Sequence, residues 1–183
     1  MGGRSERESV SRDPSTRKQV GHYNGTHGRQ IRRKEIDLSK LREDVSIELL
    51  NQRGTEYLPG FLGIQMVELA ANSLRSRMPV QKLHFAPNNF LHAASVVALA
   101  DTTCGYATTA HLPDGAESFT TIELKSNHLG TVKEGSIVCH ATPQHLGKNT
   151  QVWDAVVSDE ATDRKIALFR CTQMILWPKG GRG

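Results

Sequence analysis

The stretch LHAASVVALADTTCGYAT, residues 91–108, sets one carboxylate, Asp101, into a run of small and apolar residues. Ala94, Val96, Val97, Ala98, Leu99 and Ala100 lead up to it, and Cys104, Gly105 and Ala107 follow. A segment so uniformly apolar predicts a helix buried on most sides rather than an amphipathic one. A carboxylate in that setting loses hydration, which raises its pKa unless donors or a cation compensate. Such a group is a candidate for chemistry; the plain alternative is an aspartate satisfied by nearby backbone or hydroxyl donors.

Moving outward from this helix, the flanking sequence reads as strands. FLGIQMVELA (61–70) and Leu74 to Leu83 form an expected strand pair joined around Ala71–Ser73, followed by the loop HFAPNNF (84–90) with its Pro87-Asn88-Asn89 turn signal. After Pro113-Asp114-Gly115 come four strand-like runs, Phe119 to His128, Thr131 to Thr142, Thr150 to Ser158 and Lys165 to Leu176. They are separated by Gly130, by Pro143 with Gly147, and by residues 159–163. With no second long helix to cross parallel strands, the order predicts an α+β fold: one mostly antiparallel sheet wrapped around one long central helix. Upstream, Leu38, Leu41, Val45, Leu49 and Leu50 recur at spacings of three and four, so a short amphipathic helix is expected from Asp37 to about Gln52.

The 183 residues suffice for one domain with an appendage. The net charge of +4 is unevenly spread: residues 1–40 hold ten Lys/Arg against five acids, net +5, and the remainder holds 13 against 14, net −1. The expected organisation is a disordered basic tail over 1–37, a short helix and linker over 38–57, a folded domain over 58–177 and a flexible C-terminal tail over 178–183. The tail has Tyr23 as its single aromatic and no helix-turn-helix pattern, so a solvated tail is the reading and a nucleic-acid partner is not expected. Cys104, Cys139 and Cys171 are far apart without a CxxC pair and read as small buried hydrophobes, with no metal site. No run approaches 18 consecutive apolar residues, so neither a membrane span nor a secretory signal is expected, and a cytoplasmic protein is. A P-loop, a dinucleotide fingerprint and a His-Glu-x-x-His helix are all missing from the sequence, which disfavours nucleotide hydrolysis, redox cofactor use and zinc hydrolysis.

His92-Ala93-Ala94 opens the helix, and its first N–H groups have no intrahelical acceptor. A thioester or ester carbonyl bound there would meet preorganised donors as it becomes an oxyanion. Asp101 lies eight residues beyond Ala93, a rise of about 12 Å along one helix. It therefore cannot serve a carbonyl held at its own helix start. A second, antiparallel copy across a two-fold axis would bring the two features together.

Residues 58–177 resemble the hotdog-fold acyl-CoA thioesterases, in particular the phenylacetate-pathway and 4-hydroxybenzoyl-CoA thioesterase-like group. The resemblance is carried by LHAASVVALADTTCGYAT, which is similar to that group's His-Gly-Gly pattern followed, eight residues after the first Gly, by Asp or Glu within Leu-Ala-Asp/Glu. LGIQMVEL, RSRMPV and TIELKSNHLGTVKEG (121–135) resemble family strands more weakly. The resemblance implies hydrolysis of acyl-CoA to free acid and coenzyme A by a homodimer or homotetramer without cofactor. Asp101 would then be general base or nucleophile, and the Ala93 N–H the oxyanion donor. Two departures stand out. Both glycines are alanines here, Ala93 and Ala94, and the family's Asn or Gln six residues before the His is Ala86, for which Asn88 or Asn89 would have to substitute.

Thr121 matches a hydroxyl position that orients water in some members of the group, its alternative being a structural strand threonine. His92 reads as fixing the loop or, alternatively, as a proton carrier. Gly147 and Lys148, with His145 and Lys133, are candidates for the phosphates of coenzyme A, the alternative being a solvated turn. Phe61, Leu62, Phe85, Phe90 and Tyr106 are candidates for an aromatic or medium-chain acyl pocket, although apolar residues at such positions are more often core. The runner-up function is a non-catalytic acyl-CoA-binding regulatory module of the same fold. A hotdog dehydratase ranks last, because His92 and Asp101 fall on opposite sides of the helix.

Overall fold

The computed structural model describes residues 40–180. The expected tail over 1–37 and residues 181–183 lie outside the described residues, as do Asp37 and Leu38 of the first expected helix. Six strands form one antiparallel sheet in the order β1-β2-β4-β5-β6-β3. They are β1 (Gln65–Ala70), β2 (Ser73–Pro79), β3 (Ser118–His128), β4 (Ser136–Leu146), β5 (Thr150–Asp159) and β6 (Lys165–Leu176). The long helix, here α3, spans Ala93–Ala110 and packs against β2 to β6, so the sheet curls around it in the hotdog arrangement.

Small residues make that wrapping feasible. A Cβ at Gly105 would stand 3.0 Å from Phe119 Cζ, so the glycine sets how closely β3 approaches the helix. Inward positions of the strands alternate with outward ones, and Leu74, Met78, Ile137, Trp153, Val157, Ile166 and Phe169 fill the space between sheet and helix. Cys104, Cys139 and Cys171 are free and buried in this core. Most polar atoms that enter it are paired, Gln173 Oε1 and His84 Nε2 being exceptions. Ser76 and Thr103 share a hydroxyl contact of 2.5 Å, and Thr103 Oγ1 also donates to the Leu99 carbonyl. Trp153 Nε1 donates to Gln151 Oε1, whose Nε2 donates to the His111 carbonyl at the helix C-terminus.

The segment before the sheet departs from expectation in two ways. The first helix, α1, runs from Ile47 to Gly54 rather than from Asp37, because Ser46 caps it by accepting the Leu49 N–H at 3.2 Å, while residues 40–46 turn without becoming helical. Residues 58–61 form a single helical turn, α2, so the strand expected from Phe61 begins four residues later, at Gln65. Pro59 in the first helical turn of α2 causes this: its φ suits a helix start, and its carbonyl accepts the Ile64 N–H at 2.8 Å. Leu50 of α1 is fully buried in the same core as the sheet. Asn51 of α1 reaches the outer edge of β1, where its amide takes both backbone groups of Met66, accepting the N–H at 2.7 Å and donating to the carbonyl at 3.0 Å.

Smaller shifts occur further along. β2 ends at Pro79, ahead of a 3-10 turn over Lys82–His84. β4 starts at Ser136 rather than Thr131 and continues to Leu146, carrying Pro143 at a bulge instead of ending there.

His111 caps the far end of α3 with both ring nitrogens committed: Nδ1 meets the Ala107 carbonyl at 2.8 Å and Nε2 accepts the Asn72 N–H at 2.9 Å. Burial pushes its pKa below the ordinary histidine value, the Ala107 carbonyl acting in the opposite sense. A neutral ring is therefore part of the fold. The unfolded chain takes up a proton near pH 6.5 that the folded ring resists. We expect the contribution of His111 to be full above that value and to decline as pH falls through it. Urea melts between pH 7.5 and 5 should lose midpoint on acidification, with a shallower loss for His111→Gln; an unchanged slope would remove this role.

Candidate active site

The helix start is fixed by its own side chains. His92, at φ −64° and ψ 132°, is the N-cap, and its Nδ1 accepts the Ala94 N–H at 3.0 Å. A neutral ring that accepts at Nδ1 carries its proton on Nε2. The Ser95 N–H bonds the His92 carbonyl at 3.0 Å, and the Val96 N–H reaches the same oxygen. The Ala93 N–H is left without an acceptor among the described residues, and Ala93 itself is exposed. The first turn therefore presents one free, outward donor at the positive end of an 18-residue helix.

Asp101 sits two turns along, half-buried rather than enclosed. Helix α3 has an open stripe: Ala93 and Ala94 are exposed, and Val97, Ala98, Asp101 and Thr102 are half-buried, while Leu99, Ala100, Thr103 and Cys104 face the sheet. Removal from water raises the Asp101 carboxyl above its ordinary value, and a hydrogen bond from Thr121 opposes the rise. Thr121 Oγ1 donates to Asp101 Oδ1 at 3.4 Å, from just before a bulge in β3 between Thr121 and Glu123. A carboxylate that is easier to protonate than usual, half open and oriented by a hydroxyl, can accept a proton from water or attack a carbonyl.

The two groups are about 12 Å apart along the helix, so one chain does not assemble them on one carbonyl. The loop before the helix is a tight hairpin. Ala86 N–H donates to the Phe90 carbonyl at 2.8 Å and Asn89 N–H returns to the Ala86 carbonyl at 3.0 Å, with Asn89 at φ 63°. Asn88 Oδ1 accepts the Phe90 N–H at 3.2 Å, which commits its oxygen to the turn and leaves the amide outward. Asn88 and Asn89 are exposed beside the helix start.

The basic candidates do not gather within one chain. Lys133 precedes β4 and Gly147-Lys148 follows it, so an 11-residue strand, on the order of 35 Å, separates them. Lys148 Nζ lies 5.4 Å from the centre of the Trp177 ring, and Trp177 Nε1 donates to the Lys148 carbonyl at 3.2 Å, which fastens this turn to the C-terminal strand end. Gly147 closes the turn, since a Cβ there would collide with the His145 ring and the Thr150 carbonyl. Of the apolar candidates, Leu62 is core, Phe85 and Tyr106 pack half-buried against it, and Phe61 and Phe90 stand on the surface at 74% and 57% exposure.

Two residues at this site escaped the sequence reading. The fully buried His84 supports the loop: its carbonyl accepts the His92 N–H at 2.8 Å and Ser95 Oγ at 3.1 Å, and its Nδ1 accepts the Gln81 N–H at 3.0 Å. Thr131 contacts the loop from the β3–β4 connection. Thr131 carries no local signal, because its hydroxyl meets the Leu91 N–H only in the tertiary fold, and the local Gln81–His84 pair gives no sign of the bonds that His84 receives from His92 and Ser95. Among the described residues no cluster of three His, Cys, Asp or Glu could hold a metal ion, and no helix is long and apolar enough to cross a membrane.

The fold agrees with that of proteins to which this chain is similar. Residues 88–165, the helix with β3, β4 and β5, match the family model of the thioesterase superfamily. The chain is 30% identical over 122 residues to the 1,4-dihydroxy-2-naphthoyl-CoA hydrolase of Escherichia coli (strain K12), covering 65% of this chain and 87% of that protein. It is 31% identical to the proofreading thioesterase EntH of Cronobacter turicensis, over 65% of this chain and 86% of that one. Among solved structures, a thioesterase from Haemophilus influenzae superposes with a TM-score of 0.72 at 26% identity, covering 78% of this chain and 99% of that one. A fold of one helix in a curled six-stranded sheet, with a carboxylate and a free helix-start donor on that helix, thus coincides with sequence kinship over most of the relatives' length: the protein belongs to the thioesterase superfamily and is a thioester hydrolase of the hotdog fold.

Proposed function

We propose that the protein hydrolyses acyl-CoA thioesters to the free acid and coenzyme A, in sites built across a two-fold axis between two copies of the chain. The observation that carries this reading is the pairing of features on α3: an Ala93 N–H without an acceptor at the helix start and a desolvated Asp101 two turns on. In this scheme the thioester carbonyl accepts the Ala93 N–H of one subunit, and Asp101 of the other removes a proton from water or attacks the carbonyl itself. Thr121 orients the carboxylate. His92 acts as the cap that holds the first turn, since its Nδ1 is engaged with Ala94.

Two features support the dimer. The open stripe of α3 is lined by alanine and valine around Asp101, narrow enough for a second helix to approach. β3 is an 11-residue edge strand bearing exposed Ile122 and Leu124, and an edge of that length calls for a partner. The acyl-CoA substrate class is supported by the naphthoyl-CoA hydrolase among the relatives. Asn88, Asn89 and Phe90 lie where an acyl or pantetheine chain would pass the helix start. Lys133, Gly147 and Lys148 remain candidates for phosphate contact, and any joint action between the two ends of β4 would need both subunits.

Three measurements test the reading. A panel of aryl and C2 to C16 acyl-CoA thioesters, with released thiol as readout, should give turnover, and binding without thiol release would instead favour the regulatory module. Asp101→Asn should abolish that turnover while stabilising the fold at pH 7. The folded carboxyl has a raised pKa, so its contribution is favourable at low pH and is lost as pH rises through the folded value. The amide escapes this loss, so a higher Tm than that of the wild type is expected at pH 7. Calorimetry at pH 7 showing a lower Tm would contradict the desolvated carboxylate.

Mixing subunits tests the shared site. Ala93→Pro removes the free donor at little cost, because proline suits the first helical position and His92 already holds the extended conformation that precedes a proline. A heterodimer of Asp101→Asn with Ala93→Pro has one site with both defects and one intact site. Activity should recover toward half of wild type, whereas an inactive mixture with proven subunit exchange would place the whole site in one chain.

A further inference from the structure

The first turn of α3 is anchored by three hydrogen bonds from outside the helix. Two of them, from the His92 N–H and Ser95 Oγ, converge on the His84 carbonyl. The third joins the Leu91 N–H to Thr131 Oγ1 at 2.9 Å, and among the described residues it is the one hydrogen bond from the helix start to the β3–β4 connection. Leu91 is buried, so its N–H has no water to fall back on.

Thr131 is itself fixed from behind. Its hydroxyl proton points to the Val132 carbonyl at 3.4 Å, which turns a lone pair toward Leu91. Its carbonyl accepts Arg164 Nη2 at 2.7 Å. A Cβ at Gly130 would stand 2.6 Å from Arg164 Nη1, so the glycine leaves room for the guanidinium in its present position beside that carbonyl. The Gly130 and Leu129 N–H groups both bond the Ile166 carbonyl at the start of β6. A continuous line therefore runs from Arg164 through Thr131 to Leu91, two residues before the free N–H of Ala93.

We propose that Thr131 is a positioning residue for the oxyanion donor: by holding the Leu91 backbone it aims the Ala93 N–H at the thioester oxygen. This rests on the reading of Ala93 as the donor. Such a donor acts on charge that develops only in the transition state, so misaiming it lowers kcat and leaves substrate binding nearly intact. A purely structural Thr131 would lower the melting temperature and leave kcat unchanged below it.

The test uses the full-length enzyme and a CoA thioester that the wild type turns over. Thr131→Val removes the acceptor at constant shape and should lower kcat about tenfold with KM within about twofold. The acid limb of the kcat/KM profile, set by Asp101, should not move. Thr131→Ser restores the hydroxyl and should return kcat to within about threefold of wild type. A wild-type kcat in Thr131→Val, a change confined to KM, or a serine variant as impaired as the valine one each overturns the proposal. If Thr131→Val does not fold, Arg164→Gln loosens Thr131 from the exposed side and should lower kcat about threefold; an unaltered kcat there overturns it equally. Ala93→Pro assayed in parallel separates the two readings. Full activity in that variant removes the donor and with it the role of Thr131, whereas an inactive Ala93→Pro beside a wild-type Thr131→Val removes only the role of Thr131.

Discussion

A helix as apolar as α3 has to be covered, and the sheet covers only part of it. Leu99, Ala100, Thr103, Cys104 and Ala107 disappear against β2 to β6, but the strip from Ala93 to Thr102 on the other side is left half open. The sheet cannot close over that strip, since β3 is its last strand and Phe119 is already in contact range of Gly105. The rest of the molecule follows from this incomplete enclosure. Asp101 lies at the seam between helix and edge strand, where water is scarce enough to alter its protonation and space remains for a reactant.

That location sets stability against use. A carboxylate partly stripped of water costs the fold free energy, and the single long hydrogen bond from Thr121 offsets only part of it. An apolar residue would pack better there. The chain instead retains a poorly solvated acid in its central helix, while the packing elsewhere is tight: a fully buried Trp153, a buried hydroxyl pair and a histidine cap at the far end of the helix.

Helix α3, its carboxylate and the later strands were legible because their signals are local. Apolar continuity marks the helix, alternation marks β3, β5 and β6, and Gly or Pro-Asp-Gly marks the breaks. The reading failed where local and tertiary signals diverge. Leu58-Pro59-Gly60 reads as a loop ahead of a strand, yet the proline seeds a helical turn and delays β1 to Gln65. Pro143 reads as a strand end, yet a bulge absorbs it. Lys133 and Lys148 read as one basic group but stand at opposite ends of β4, a separation that strand length decides and residue type does not. Thr131 and His84 were invisible for a different reason: each serves α3 through a backbone atom of a distant segment, and no motif records such a bond.

Asn51 gives the molecule a handed boundary. By taking both backbone groups of Met66, one side chain of α1 occupies the hydrogen-bonding positions that an incoming strand would need beside β1. Among the described residues the opposite margin of the sheet, β3, has no such plug. A sheet blocked on one side and open on the other can add a neighbour once only, and two copies joined through their open margins present plugged ends outward. Growth by strand addition would then stop at a pair of copies rather than run on into a fibre, with the terminator supplied by a single side-chain amide of α1.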